Sequence, residues 1–178
     1  MKRWFLLVAP LLATLLVACG NGESKGQSSE DKYVVILSMD AYRHDLGEFY
    51  DTPTLDSIAS VGVYSKVAPC FPSNTFPNHY SMATGLHPDH HGLVNNSFYD
   101  KKMGLSYSIG NDEARVNPDF YKGEPIWSTV ERQGLTAHVY TWVGVEAPYK
   151  GGFPTKYLIY DSSRTRKELA DSVLTALC

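Results

Sequence analysis

The stretch Tyr33-Val34-Val35-Ile36-Leu37-Ser38-Met39-Asp40 decides the fold class predicted for this chain. It is a short, continuous apolar and β-branched run, which is typical of a strand buried on both faces of a parallel sheet. We therefore predict a first central strand over residues 33–39. Open α/β sheets bind ligands at the carboxyl ends of their strands, so Asp40 would lie at the expected cleft. An Asp in this place is also a common N-cap or turn residue.

Helical and strand patterns alternate after this strand. We predict further strands over residues 63–67 and 137–142, and helices over residues 52–60, 75–84, 125–132 and 164–177. The third helix would turn Ile126, Val130 and Trp127 inward. Such alternation favours right-handed β-α-β crossovers, and hence an α/β fold in which helices flank a layered, mainly parallel sheet. Because the sequence stops directly after a helix, we expect this sheet to be truncated.

The composition is that of an ordinary globular protein. The 178 residues are 43% hydrophobic and 20% charged, which excludes a disordered, collagen-like or multi-span membrane protein. Sixteen basic residues face 19 acidic ones, and without Lys2 and Arg3 the balance is 14 against 19. This net negative charge argues against nucleic-acid polymers as partners.

The first 32 residues have the pattern of an export and anchoring segment. Residues 1–18 combine Lys2 and Arg3 with an apolar run too short for a permanent membrane span, which indicates a signal peptide. Leu16-Val17-Ala18-Cys19 resembles the bacterial lipobox, in which the cysteine is acylated; a plain signal peptide with a chance cysteine is the alternative. Residues 19–32 would then be a lipidated N-terminus and flexible tether. We expect an exported, membrane-anchored lipoprotein on the periplasmic side of a bacterial envelope or at the cell surface.

The segment Cys70-Phe71-Pro72-Ser73-Asn74-Thr75-Phe76-Pro77-Asn78-His79-Tyr80 places Thr75 where helical spacing begins. A hydroxyl at a helix N-terminus lies beside free amide protons and the positive end of the helix dipole, which favours an alkoxide and an anionic substrate. A Thr in this position is most often merely an N-cap. Because an unassisted Thr hydroxyl is a poor nucleophile, catalysis would require a base or a bound cation.

Several motifs follow one another in a fixed order. They occupy residues 35–40, 52–55, 68–80 and 84–96, with further pieces at 123–127 and 142–146. Together they closely resemble the nucleotide pyrophosphatase/phosphodiesterase family of the alkaline phosphatase superfamily, over nearly all of residues 33–161. The resemblance implies an alkaline-phosphatase-like fold with two zinc ions at the C-terminal edge of the sheet. It also implies that residues 33–178 are the N-terminal part of a phosphodiesterase catalytic domain.

The same resemblance implies roles for four residues. Asp40 resembles the aspartate ligand of the zinc ion on the nucleophile side. Thr75 resembles the nucleophile, which binds that zinc and forms a phospho-enzyme ester that water then cleaves. Asn96 resembles the asparagine that donates to a non-bridging phosphate oxygen, and Phe76 resembles the aromatic that stacks on a nucleobase or another leaving group. The implied activity is zinc-dependent hydrolysis of phosphodiester or pyrophosphate bonds in nucleotides or related diesters.

Other readings stay open at this point. A phosphomonoesterase of the same superfamily is one, whereas a sulfatase is disfavoured because the sequence at Thr75 lacks the Cys/Ser-x-Pro-x-Arg pattern. The remaining family ligands, an Asp-x-x-x-His motif, an Asp-His pair and a last His, have no match here, and we expect structural roles for His79, His87, His90 and His91. A non-catalytic surface lipoprotein is therefore a further alternative. We expect residues 20–178 alone to be poorly soluble or molten, without a tight zinc pair.

Overall fold

The computed structural model describes residues 33–177. The predicted signal peptide (residues 1–18), Cys19 and the tether (residues 19–32) lie outside the described residues. The described part of the chain divides into two units between Ser38 and Met39. Across residues 33–177, every helix is too short or too polar to cross a membrane.

The predicted strand over residues 33–39 is wrong. No strand is assigned there, and the Val34 and Leu37 side chains are 88% and 76% exposed. The strand predicted over residues 63–67 is also wrong, and Val63 is 97% exposed. An apolar, β-branched run records a preference for a pleated, buried environment, but a neighbouring strand must supply the hydrogen bonds. In the described part of the chain, paired strands form elsewhere.

The unit that begins at Met39 contains six α-helices and two short 3-10 turns within the described residues. The helices are α1 (Pro53–Val61), α2 (Thr75–Thr84), α3 (Pro88–His91), α4 (Asp112–Val116), α5 (Ile126–Arg132) and α6 (Arg166–Leu177); the 3-10 turns are Leu46–Glu48 and Pro118–Phe120. All four predicted helices are confirmed, with ends within two residues of the expected positions. Helix α2 stops at Gly85, whose φ of +69° is the left-handed conformation that glycine allows at a helix C-terminus.

Four short strands form two separate pairs. Strands β1 (Ser97–Asp100) and β2 (Leu105–Ser108) form an antiparallel hairpin that the sequence analysis did not predict. Strand β3 (His138–Tyr140) confirms the strand predicted over residues 137–142, and it pairs in parallel with β4 (Lys156–Leu158). Helix α6 packs against β3. The described residues thus mix helices with parallel and antiparallel pairs.

An aromatic core fixes helix α2. Tyr80 on α2 and Tyr107 on β2 are each 1% exposed. The Tyr80 ring packs edge-on against Tyr121 with centroids 5.3 Å apart, and Tyr107 packs against Phe120 at 5.2 Å. The hydroxyl oxygens of Tyr107 and Tyr121 lie 2.9 Å apart and share a hydrogen bond. Helix α2 therefore has one face in the core, while its N-terminus remains accessible.

Of the three α5 residues predicted to turn inward, two do so and one does not. Trp127 is buried and Val130 packs against the core, as predicted. Ile126 is 49% exposed, so its inward placement was wrong. It is the first residue of α5, about 100° around the helix from Trp127, and the residue before it, Pro125, is buried.

Candidate active site

Thr75 is the first residue of α2, and a single side chain holds the preceding loop against that helix. The Asn78 Oδ1 oxygen accepts a hydrogen bond from the Cys70 N–H at 2.8 Å. Its Nδ2 group donates to the carbonyls of Pro72 at 3.0 Å and Asn74 at 2.9 Å. Asn78 thus ties the entry loop to the first turn of α2, which fixes where the Thr75 hydroxyl emerges.

Asp40 and Thr75, which lie 35 residues apart in sequence, are neighbours in the structure. The Thr75 hydroxyl donates to the Asp40 Oδ2 oxygen at 3.2 Å. Asp40 is exposed and Thr75 is half-buried. The next residue, Ala41, has a φ of +58°, a left-handed conformation that alanine rarely adopts. Strained backbone of this kind clusters at functional sites.

The Asp40 and Thr75 oxygens fit two positions around a zinc ion. Two oxygen ligands of a tetrahedral zinc, each about 2.0 Å from the metal, lie about 3.3 Å apart. That spacing matches the 3.2 Å between the Thr75 Oγ1 and Asp40 Oδ2 atoms. Among residues 33–177, no group of three or more His, Cys, Asp or Glu side chains is arranged to hold a metal ion. The described residues therefore offer a pair of oxygen ligands at this point.

Asn96 meets the same end of α2. Its Oδ1 oxygen accepts a hydrogen bond from the Phe76 N–H at 3.0 Å. That N–H is one of the first helical donors, which have no partner within the helix, so Asn96 caps α2 from a distant loop. The side chain of Asn74, the residue at the N-cap position, makes no capping bond of its own. The structure thus brings Asp40, Thr75 and Asn96 together at the start of α2.

Asn74 and Asn95 also belong to this cluster, and sequence reasoning did not identify them as site residues. The Asn95 Oδ1 oxygen accepts from the Asn74 Nδ2 group at 2.6 Å and from the Asn96 N–H at 2.8 Å. The available signal was that each residue directly precedes a candidate site residue. Short amide side chains at loop ends commonly bond to nearby backbone groups, which marks them as positioning elements.

The geometry leaves two donors at the helix end. Across the described range, the Thr75 N–H and the Asn96 Nδ2 group form no hydrogen bond with protein. Both lie at the N-terminus of a ten-residue helix, where the helix dipole favours negative charge. Donors of this kind at a helix N-terminus are typical partners for the oxygens of a tetrahedral anion.

The Phe76 ring turns toward the core. It is half-buried, and its centroid lies 6.2 Å from that of Tyr107 in a tilted arrangement. The ring therefore supports the β1–β2 hairpin. Its stacking on a leaving group remains a prediction.

Buried His91 holds α2 against the loop that leads to Asn96. Its Nδ1 atom accepts from the Leu93 N–H at 3.2 Å, so in the neutral ring the proton is on Nε2. The Nε2–H group faces the Ser81 Oγ oxygen at 2.9 Å and the Pro77 carbonyl at 3.2 Å. Burial lowers the pKa of His91, which keeps the ring neutral. This residue stabilises the site without lying in it.

Other imidazoles near α2 also have protein contacts. The His79 Nδ1 atom lies 2.8 Å from the Thr75 carbonyl oxygen, and its own carbonyl accepts from the Trp142 Nε1–H at 3.0 Å. The exposed His90 pairs with Asp89 at 2.9 Å. These contacts support the structural roles that the sequence predicted for His79, His90 and His91.

Comparisons with known proteins point to one family. The family model for type I phosphodiesterase / nucleotide pyrophosphatase matches residues 34–177. Human ectonucleotide pyrophosphatase/phosphodiesterase family member 1 is 38% identical over 146 residues, which are 79% of this chain and 15% of that protein. The venom phosphodiesterase CdcPDE of Crotalus durissus collilineatus is 37% identical over 137 residues, 75% of this chain and 16% of that protein.

Solved structures give the same result for the fold. Murine ectonucleotide pyrophosphatase/phosphodiesterase 5 superposes with a TM-score of 0.71 at 30% identity, over 75% of this chain and 36% of that chain. An inactive threonine-to-alanine variant of the murine protein, in complex with AMP, superposes with a TM-score of 0.73 at 29% identity, over 77% and 37% of the two chains. The similarity confirms the predicted α/β, alkaline-phosphatase-like fold class. The chain spans about a sixth of the curated relatives and about a third of the solved chains.

Proposed function

The chain belongs to the type I phosphodiesterase / nucleotide pyrophosphatase family, and from this membership we propose that it contributes the nucleophile to an enzyme that hydrolyses phosphodiester or pyrophosphate bonds of nucleotides. The observation that carries the proposal is the meeting of Thr75, Asp40 and Asn96 at one helix N-terminus. These residues come from three separate parts of the sequence. A helix cap alone would not require Asp40.

In the proposed reaction, the Thr75 Oγ oxygen attacks phosphorus. The bond from phosphorus to the leaving oxygen breaks, the leaving group takes up a proton, and a phosphothreonine ester remains. Water then attacks the same phosphorus atom, which releases the phosphate monoester and restores the Thr75 hydroxyl. Both steps are displacements at phosphorus, so donors that stabilise negative charge on the phosphoryl oxygens assist both.

The residues around Thr75 supply such stabilisation. The Asn96 Nδ2 group and the Thr75 N–H would donate to non-bridging oxygens, and the dipole of α2 adds partial positive charge. Asp40 and Thr75 would hold one of the two zinc ions that the family resemblance implies. Zinc, when bound, lowers the pKa of a coordinated hydroxyl and stabilises charge on attacking and leaving oxygens.

We propose nucleotides as the substrate class, with Phe76 contacting the leaving group or base. The family description and the AMP complex of the murine protein support this choice. The net negative charge of the chain argues against nucleic-acid polymers.

Because two relatives carry the words "ectonucleotide" and "venom" in their names, export of this chain is also supported. We propose lipidation at Cys19 as the membrane anchor, which predicts that Cys19→Ser moves the protein from the membrane to the soluble fraction.

The decisive experiment uses the full-length protein that carries this chain. Hydrolysis of the 4-nitrophenyl ester of thymidine 5′-monophosphate is measured with added zinc, beside 4-nitrophenyl phosphate as a monoester. We expect the diester to be preferred, and Thr75→Ala to lower kcat by about 1,000-fold or more. Thr54→Ala, an exposed threonine in α1, is the matched control and should retain full activity.

Three outcomes would overturn the proposal. Full activity of Thr75→Ala would exclude Thr75 as the nucleophile. A preference for the monoester would favour a phosphomonoesterase of the same superfamily, and hydrolysis of neither ester would favour a non-catalytic surface lipoprotein.

A further inference from the structure

We propose that Asn95 is a positioning residue, whose side-chain oxygen holds the Thr75 nucleophile and the Asn96 donor in one arrangement. This inference rests on the proposed function, since it assigns how the groups of that site are aligned. Asn95 itself does not contact the reacting atoms in this proposal; it acts through its neighbours.

One oxygen atom makes the connection. The Asn95 Oδ1 oxygen accepts from the Asn74 Nδ2 group at 2.6 Å and from the Asn96 N–H at 2.8 Å. An amide oxygen has two lone pairs, so these two bonds use its full capacity. All three residues are partly buried, which limits competition from water.

A further hydrogen bond connects the same two segments, residues 74–76 and residues 95–96. The Asn96 Oδ1 oxygen accepts from the Phe76 N–H at 3.0 Å. Asn74 and Phe76 are the residues immediately before and after Thr75, and they bond to the consecutive residues Asn95 and Asn96. Thr75 is therefore clamped on both sides to the loop that carries its partner donor. Displacements of about 1 Å at a reacting group can cost about 100-fold in rate, so such a clamp has catalytic value.

The geometry sets a chemical requirement at position 95. Both bonds need an acceptor, and neither uses the Asn95 Nδ2 group. Asn95→Asp keeps an acceptor of the same shape, whereas Asn95→Leu has a similar volume and accepts nothing. If Asn95 served merely to fill space, the leucine variant would be the milder change.

The experiment measures kcat and KM of the full-length protein with the thymidine ester. We expect Asn95→Leu to lower kcat by about 10- to 100-fold with a smaller change in KM, and Asn95→Asp to stay within about 3-fold of the parent protein. Asn111→Leu is the matched control. Its Oδ1 oxygen accepts from the Ala114 N–H at 3.2 Å at the start of α4, so its loss should lower thermal stability and leave kcat unchanged.

A second variant keeps the test decisive if Asn95→Leu fails to fold. Asn74→Leu removes the donor of the same hydrogen bond, and it should lower kcat similarly. The Asn74→Leu, Asn95→Leu double variant should then lose less than the product of the two single effects. Unchanged kcat in Asn95→Leu or Asn74→Leu, while Thr75→Ala is inactive, would overturn the positioning role and leave the proposed function intact. An active Thr75→Ala would instead overturn the proposed function itself.

Discussion

The two partners of the Thr75–Asp40 contact belong to segments that are held in different ways. Helix α2, which begins at Thr75, and the chain after it bury large side chains, including Tyr80, Leu93 and Tyr107 at 1% exposure or less. Between Met39 and Asn74 no residue is buried, and α1 contributes none to the core. The comparison teaches that the helix carrying Thr75, the proposed nucleophile, is placed by packing, whereas Asp40 is placed by its local turn and by one hydrogen bond.

The packed segment should break at Gly144, where we expect the largest loss of stability. Gly144 has a φ of +88°, and a Cβ atom there would lie 2.8 Å from the Tyr80 ring. Left-handed strain and overpacking together should cost about 3 kcal/mol or more for Gly144→Ala. Gly134→Ala is the control, because its φ is +77° with no atom within 4 Å of the added Cβ. The free energies of unfolding of both variants are measured in urea. Equal losses relative to the parent protein would contradict this prediction.

A substitution at His91 should sharpen the comparison by showing that polar contacts also fix α2. His91→Leu leaves the Leu93 N–H without its acceptor, and we expect a loss of about 2 kcal/mol at pH 7.5 by urea unfolding. His90→Gln, at an exposed neighbour, should change stability by less than about 0.5 kcal/mol. A smaller loss for His91→Leu than for His90→Gln would show that the buried network is not needed.

His91 should also contribute to the pH dependence of stability. Burial lowers the native pKa of His91 below its ordinary value of 6.5, so the unfolded chain takes up the proton first. This contribution to stability is complete above pH 6.5 and is lost as the pH falls from there through the lowered native pKa. The free energy of unfolding should therefore differ less between pH 7.5 and pH 5.0 in His91→Leu than in the parent protein. An identical difference in the two proteins would contradict this prediction.

The hydroxyl pair in the aromatic core should contribute a smaller amount. Tyr121→Phe removes one partner of the 2.9 Å bond and leaves the Tyr107 hydroxyl buried without it. We expect a loss of about 1 kcal/mol by urea unfolding. Tyr99→Phe, on the exposed face of β1, should cost almost nothing. Equal losses would argue against a buried hydrogen bond between the two tyrosines.

The smallest effect should come from the exposed segment. Val63→Ser should change stability by less than about 0.5 kcal/mol, because the side chain is 97% exposed. Val145→Ser is the matched change at a valine that is 1% exposed, and it should cost several times more. A loss above about 1 kcal/mol at Val63 would show that the segment before α2 packs as well as the one after it.

What the sequence could predict was local. The two ends of α2 were correctly predicted at residues 75 and 84, because a helix N-terminus and a left-handed stop such as Gly85 depend on neighbouring residues. The strand over residues 33–39 failed because its pattern states a preference for burial but cannot provide a pairing partner. The β1–β2 hairpin was missed, although the Asp100 carboxylate accepts from the N–H groups of Lys102 and Met103 in its loop, a common turn signal.

The candidate site divides in the same way. Thr75 could be suspected from its place at a helix start, and Asp40 from its place after an apolar run. That Asn96 caps α2, and that Asn95 bonds to Asn74, depends on contacts across about 20 residues. The residue types indicate that these side chains can accept or donate hydrogen bonds, but their partners depend on the fold.

The amide of Asn96 has two ends of nearly equal size and opposite chemistry. Because the Phe76 N–H bonds to the oxygen end, the backbone of α2 determines that the nitrogen end is the one available to the proposed substrate. Errors in the placement of Thr75 and Asn96 are therefore correlated: a shift at the start of α2 carries both groups in the same direction. In the proposed reaction, the relative alignment of the Thr75 oxygen and the Asn96 donor can thus survive motions that displace each of them from its average position.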